Sequence, residues 1–188
     1  MHHPCQSLAD HLTVSEHFGP KLNGLKVVLS WAWHPRALPM AVPNSFALQM
    51  ARAGVNLTIA HPKGLELDAD LMQDVRRQAD ANGGSVQVVN DRLGSLDGAQ
   101  VVYVKSWGAI GQTEPHPESL RDWCFNDQAW ARTDSAKVMH CLPVRRNVVI
   151  ASSVLDSSRS IVLDQAENRM WAQSALIEAV ARRAGVLL

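Results

Sequence analysis

The sequence predicts an α/β fold, a doubly wound, mostly parallel sheet with helices on both faces. Three observations carry that reading. Short β-branched runs alternate with helical patterns in the order βαβαβ, followed by more of the same. Several of these runs are continuously apolar, as expected for strands covered on both sides of a parallel sheet. Glycines and one aspartate stand where helix caps belong, so the periodic segments have readable ends.

Residues 4–18 (PCQSLADHLTVSEHF) read as a helix stopped by Gly19 and Pro20. The first strand is expected over 25–30 (LKVVLS), then a helix over 44–53 with Gly54 at its C-terminal cap, and a second strand over 55–60 (VNLTIA). A third helix is expected over 68–82, with Asp68 as N-cap and the Gly83-Gly84 pair beyond its end. Strands follow over 85–89 (SVQVV) and 99–104 (AQVVYV), with a broken helical region over 117–132. The last strand candidates are 137–140 (KVMH) and 160–163 (SIVL), and 164–183 reads as a long terminal helix. The two end helices fall outside the βαβ unit. Each either covers the sheet or forms one half of a contact with a further domain.

Composition narrows the function classes. In 188 residues, 46% are hydrophobic and 19% charged, a globular balance. Lysine plus arginine and aspartate plus glutamate number 18 each, which gives no support to nucleic acid or an anionic membrane as partner. No apolar run approaches ~20 residues, and MHHPCQSLAD lacks a secretory pattern, so a cytoplasmic chain is expected. Three cysteines, Cys5, Cys124 and Cys141, contain no CxxC pair, which argues against a disulfide framework or a structural zinc site.

In an open parallel sheet, ligands bind beyond the carboxyl ends of the strands. The loops there read Trp31-Ala32-Trp33-His34-Pro35-Arg36, Lys105-Ser106-Trp107-Gly108 and Cys141-Leu142-Pro143-Val144-Arg145-Arg146. Trp, His, Lys, Cys and Arg are thus expected at one sheet edge. Neither GxGxxG nor GxxxxGK[ST] is present, so no dinucleotide or phosphate-loop cofactor is expected. The cations suit an anionic small molecule such as a carboxylate or phosphate. On residue type alone Cys141 is more often a buried inert thiol than a functional one, Lys105 and Trp107 as readily close a loop over the core, and Arg146 reads as a solvated charge. His2 and His3 read equally as an exposed start or a metal pair, while His11, His17, His61 and His116 read as surface or turn residues.

Three motifs carry a resemblance. His3-Pro4-Cys5-Gln6, His140-Cys141-Leu142-Pro143 and Glu167-Asn168-Arg169, in that order, resemble the C-terminal motifs of the aspartate/ornithine carbamoyltransferase superfamily, over essentially the whole chain. The Lys105-Ser106-Trp107-Gly108 loop, Trp33-His34-Pro35-Arg36 and the extended HCLPVRRN are similar to the N-acetylornithine and N-succinylornithine branch. The resemblance implies the Rossmann-like second domain of such an enzyme. Residues 1–20 would be a terminal helix belonging to the carbamoyl phosphate domain, 21–163 the acylornithine-binding α/β domain, and 164–188 a helix packing back on the first domain.

The resemblance also implies roles. His3, Pro4, Cys5, Gln6, Cys141, Leu142 and Arg169 would bind carbamoyl phosphate, with Cys141, His3 and Arg169 beside the reaction. Lys105, the Leu142 carbonyl, Asn44, His34, Arg145 and Trp107 would bind the acylated ornithine. Neither a metal nor a cofactor is implied. The family's phosphate-gripping Ser-x-x-Thr-Arg-type motif has no counterpart in these 188 residues. The implied partners are therefore the two substrates, an N-terminal domain or chain carrying that motif, and the copies of a homotrimer, with little activity expected from this chain alone.

Overall fold

The computed structural model describes residues 1–186. Five parallel strands form one sheet in the order β3-β2-β1-β4-β5, with β1 at Lys26–Trp31, β2 at Asn56–Ala60, β3 at Ser85–Val89, β4 at Val101–Lys105 and β5 at Lys137–Met139. The long helices are α1 (Pro4–Phe18), α2 (Ala41–Arg52), α3 (Ala69–Ala81) and α6 (Val162–Arg183), while α4 (Asp127–Trp130) and α5 (Ser152–Leu155) are single turns. The doubly wound reading holds.

Alternation along the strands splits the core in two. Val27, Leu29 and Trp31 of β1 pack with Leu57, Ile59 and Tyr103 against Val14 of α1, Phe46 and Met50 of α2, and Val75 of α3. Val28, Val102, Val104 and Val138 face the other way, onto Ala129 of α4, Val154 of α5 and Val162 at the start of α6. The helices are unequal, three long ones on one side and mostly short ones on the other.

That inequality explains β3, the expected strand over 85–89, which lies at the sheet edge. It is mostly exposed, because the crossover to β4 contains only a 3-10 turn at Gly94–Leu96. Its open face carries polar pairs instead, with Gln87 Nε2 donating to Thr58 Oγ1 at 2.8 Å and Ser85 Oγ to Asn56 Oδ1 at 2.9 Å.

Helix α2 begins at Ala41, three residues before the expected start. Pro43 therefore lies in the first turn, where backbone N–H groups have no intrahelical partner and a proline loses nothing; the Asn44 N–H donates to Met40 at 3.0 Å. Gly54 then turns the chain at φ 72°, and a Cβ there would stand 2.5 Å from the Asn82 carbonyl oxygen. Asp68 caps α3 as expected, its Oδ1 accepting from the Leu71 N–H at 3.0 Å. The segment 160–163 is not a strand. Ser160 makes only an isolated bridge to Val138, and its apolar neighbours Ile161 and Val162 lead into α6. The 117–132 region holds a 3-10 turn at Glu118–Trp123 and then α4.

Helices α1 and α6 lie together. Asn168 Nδ2 donates to Thr13 Oγ1 at 3.0 Å and to Glu16 Oε2 at 2.6 Å, and His17 meets Asp164 at 2.9 Å. The rest of α6 is poorly covered, with Leu163 74%, Met170 55%, Ile177 70% and Val180 60% exposed. Among the described residues no helix is long and apolar enough to cross a membrane. Of the terminal segment 164–188, Leu187 and Leu188 lie outside the described residues.

Candidate active site

Strand order reverses between β1 and β4, and such a switch point leaves a crevice at the carboxyl edge. Trp31 ends β1 in register with Lys105 at the end of β4. A cavity of about 820 Å³ opens there, walled by the loops after β1, β4 and β5, by the start of α1 and by Arg169 from α6. His3, Gln6, His34, Lys105, Cys141, Leu142, Arg145 and Arg169 all line it.

The first wall is the start of α1. Pro4 occupies the first turn, the His3 N–H donates to Ser45 Oγ on α2 at 2.7 Å, and the His3 carbonyl accepts from the Gln6 and Ser7 N–H groups. Gln6, nearly fully buried, donates from Nε2 to Asp10 Oδ1 at 2.8 Å, which fixes its amide plane.

Lys105 is only 8% exposed, and its Nζ donates to the Ser106 carbonyl at 2.9 Å with no ion-pair partner among the described residues. Burial pushes its pKa down, and the neighbouring Cys141 opposes that shift. Burial likewise pushes the Cys141 thiol up, with Lys105 pulling it down and Asp10 adding to the rise. His140 is held neutral, burial and then Lys105 taking its pKa to about 3. Its Nδ1 accepts from the Leu142 N–H at 2.9 Å, and its own N–H donates to Gln165 Oε1 on α6 at 2.9 Å. These bonds hold Leu142 in a left-handed conformation, φ 49°, where an L-residue rarely sits.

His34 is buried, its Nδ1 accepting from the Arg36 N–H at 3.0 Å, and desolvation pushes its pKa down. Arg145 reaches the cavity from an exposed position, whereas Arg146 turns away into a bidentate pair with Asp156. Arg169 is half-buried, with a fully buried Nε that has no hydrogen-bond partner. Arg36, Lys105, Arg145 and Arg169 line the cavity and no aspartate or glutamate does, so its interior favours anions.

Four expected site residues are placed elsewhere. Trp107 is fully buried, its Nε1 donating to Leu65 at 2.9 Å and its carbonyl accepting from Trp31 Nε1 at 2.8 Å. The fused ring fills the core between two loops instead of facing a ligand. Asn44 lines a neighbouring cavity of about 660 Å³, where its Nδ2 donates to the Met1 carbonyl at 3.2 Å. Pro4 and Cys5 start α1 without lining the main cavity. His61 and His116, expected as surface or turn residues, lie in loops but are buried against the Trp107 and Trp31 rings. Asp10, Tyr103 and Gln165, behind the cavity, were not expected; the Gln6-to-Asp10 spacing of one helical turn is the signal that points to the first of them.

The sequence matches the Asp/Orn binding domain of aspartate/ornithine carbamoyltransferases over residues 37–180. The chain belongs to that family. It is 40% identical to N-acetylornithine carbamoyltransferase of Xanthomonas axonopodis pv. citri, over 98% of this chain and 56% of that protein. It is also 40% identical to N-succinylornithine carbamoyltransferase of Bacteroides fragilis, over 89% of this chain and 49% of the relative. A crystal structure of an N-acetyl-L-ornithine transcarbamylase variant complexed with PALAO superposes with TM-score 0.91 at 39% identity, covering 95% of this chain and 56% of that one. Another variant, complexed with carbamyl phosphate and N-succinyl-L-norvaline, gives TM-score 0.90 at 38% identity, with 95% and 56% covered. The chain thus spans about half the length of the curated relatives it matches.

Proposed function

We propose that this chain is the amino-acid-binding part of an N-acylornithine carbamoyltransferase of arginine biosynthesis in the cytoplasm. The observation that carries the reading is the cavity at the switch point, which has four Lys/Arg side chains and no carboxylate in its lining. Carbamoyl phosphate and the α-carboxylate of an acylornithine are both anions. A cationic interior also disfavours an ammonium, so an amine held there is kept in its nucleophilic neutral form.

In this reading His3, Gln6 and Arg169 hold the carbamoyl end, and Cys141 with the Leu142 carbonyl stands beside the reacting carbon. Lys105, His34 and Arg145 take the acylornithine, with Asn44 at its outer end. Pro4 and Cys5 shape the first wall, and Trp107 supports the Lys105 loop from the core. The δ-nitrogen forms a bond to the carbamoyl carbon, the developing oxyanion is stabilised by His3 and Arg169, the carbon–oxygen bond to phosphate breaks, and the amine proton passes to the departing phosphate. Phosphate leaves with the bonding pair, so neither a covalent enzyme intermediate nor a cofactor is needed.

The phosphate clamp belongs to a separate N-terminal domain. Helix α1 (within 1–20) and the terminal segment 164–188 adjoin that domain, flanking the 21–163 acylornithine domain, and the trimer of the full enzyme depends on it. The alternative is a non-catalytic binding module or inert remnant of an ornithine-type carbamoyltransferase, for which half-length coverage is the supporting observation. Calorimetry tests the binding step. N-acetyl- or N-succinyl-ornithine should bind the chain weakly but better than free ornithine, and tighter binding of free ornithine would overturn the substrate assignment.

A further inference from the structure

Asp10 is the group that the site chemistry leaves unexplained. It is fully buried within α1, one turn beyond Gln6. Its Oδ1 accepts from Gln6 Nε2 at 2.8 Å and from Gln165 Nε2 at 2.6 Å, and Gln165 Oε1 accepts the His140 N–H at 2.9 Å. One carboxylate oxygen therefore joins α1, α6 and the turn beyond β5. The other oxygen, Oδ2, is buried without a hydrogen-bond partner, and so is the Tyr103 hydroxyl.

Tyr103 projects from β4 beside Met139 of β5, and its hydroxyl acts on both Asp10 and the Cys141 thiol. Helix α2 brings the Phe46 ring against Tyr103, with centroids 4.2 Å apart. The nearby charges are Arg169 of α6, which acts on Asp10, and Lys105 of β4, which acts on Cys141 and on the neutral His140.

We propose that Asp10 is a positioning residue of this site: it locks the Gln6 amide and the His140–Leu142 turn in one arrangement, and through that turn it is linked to the adjoining Cys141. Its place in catalysis rests on the carbamoyltransferase reading, whereas its linkage to the thiol does not. Burial pushes the Asp10 carboxyl up to about 7, against the Gln6 and Gln165 amides, the Tyr103 hydroxyl and the charge of Arg169. Below that pH Oδ2 carries a proton. Above it the carboxylate makes ionisation of the neighbouring thiol harder.

The test is alkylation of the 188-residue chain by iodoacetamide across pH 5 to 10, with the Cys141 peptide resolved from those of Cys5 and Cys124 by mass spectrometry. A carbon-13 titration of the aspartate carboxyls runs in parallel on the unmodified chain. Asp10 should titrate near 7, and the Cys141 rate profile should show an inflection at that pH besides the thiol's own. In Asp10→Asn, which mimics the protonated carboxyl, that inflection should vanish and Cys141 should react about threefold faster at pH 8. If Asp10→Asn does not fold, the carboxyl titration and the unmodified chain's profile decide the matter. An Asp10 carboxyl titrating near 4 with a single-step Cys141 profile would overturn the proposal. Neither measurement uses a substrate, so failure of the functional reading shows separately, as absence of acylornithine binding.

Discussion

Lys105 sits 8% exposed with no counter-charge among the described residues, an arrangement that stability alone does not favour. Lys105→Met should therefore keep or raise the melting temperature while weakening acylornithine binding about tenfold or more, the cost of losing a charge-assisted contact. Thermal denaturation and calorimetry on the same sample check both signs. Asp10 gives a second prediction. Its carboxyl is at about 7 in the folded chain against 3.8 for an ordinary aspartate, so between these values the native state binds more protons than the unfolded one. Stability from this group is then lost as pH rises from about 4 to about 7, by roughly 4 kcal/mol at most. His140, depressed to about 3, works in the opposite direction over an overlapping window. Comparing Asp10→Asn with the unaltered chain cancels the His140 contribution. The variant should gain on the unaltered chain with increasing pH in urea titrations, and a constant difference from pH 4 to 8 would count against a buried, raised carboxyl.

At the scale of elements, the parallel strands and long helices were legible because periodicity and caps agree with the fold, as at Asp68 and Gly54. Misreadings occurred where one local pattern admits two outcomes. SIVL is short and apolar, and such a run reads equally as a buried strand or as an entry into a helix. The helix expected from residue 44 starts at Ala41 instead, since a proline in the first turn breaks nothing. Gly54 combines φ 72° with a backbone oxygen where a Cβ would stand, so Gly54→Ala should destabilise the chain by about 2 kcal/mol or more. Asn168→Ala should cost about 1–3 kcal/mol, since it leaves Thr13 and Glu16 of α1 without their donor. Chemical denaturation measures both, and a value near zero at Asn168 would mean that α1 is held by its apolar contacts alone.

Over the whole molecule, the location of the site was legible and its inner supports were not. Loop composition placed Lys105, Cys141 and Arg145 at one edge, but it could not say that Trp107 turns inward to hydrogen-bond Leu65. Nor could it show that Asp10, Gln165 and His140, distant in sequence, meet behind the cavity, because that depends on α1 and α6 packing side by side. Leu163, Met170, Ile177 and Val180 on α6 are exposed apolar side chains of the kind that promote association. The isolated chain should therefore elute as a monomer prone to aggregation rather than as a trimer, and Ile177→Glu should reduce the aggregate without lowering the melting temperature. Light scattering coupled to size exclusion reads both.

The central claim, that this chain supplies the amino-acid half of a carbamoyl transfer, is tested most directly by mixing. The purified chain is combined with a separately produced N-terminal half of an N-acetylornithine carbamoyltransferase, carbamoyl phosphate and N-acetylornithine, and the ureido product is followed. Holding the reacting atoms together can account for ~7–11 kcal/mol of a barrier, so neither half should turn over usefully alone. Product should form only on mixing and be lost with Arg169→Ala or Cys141→Ala. Rapid product from the 188-residue chain alone, or a mixed activity indifferent to both substitutions, would contradict it.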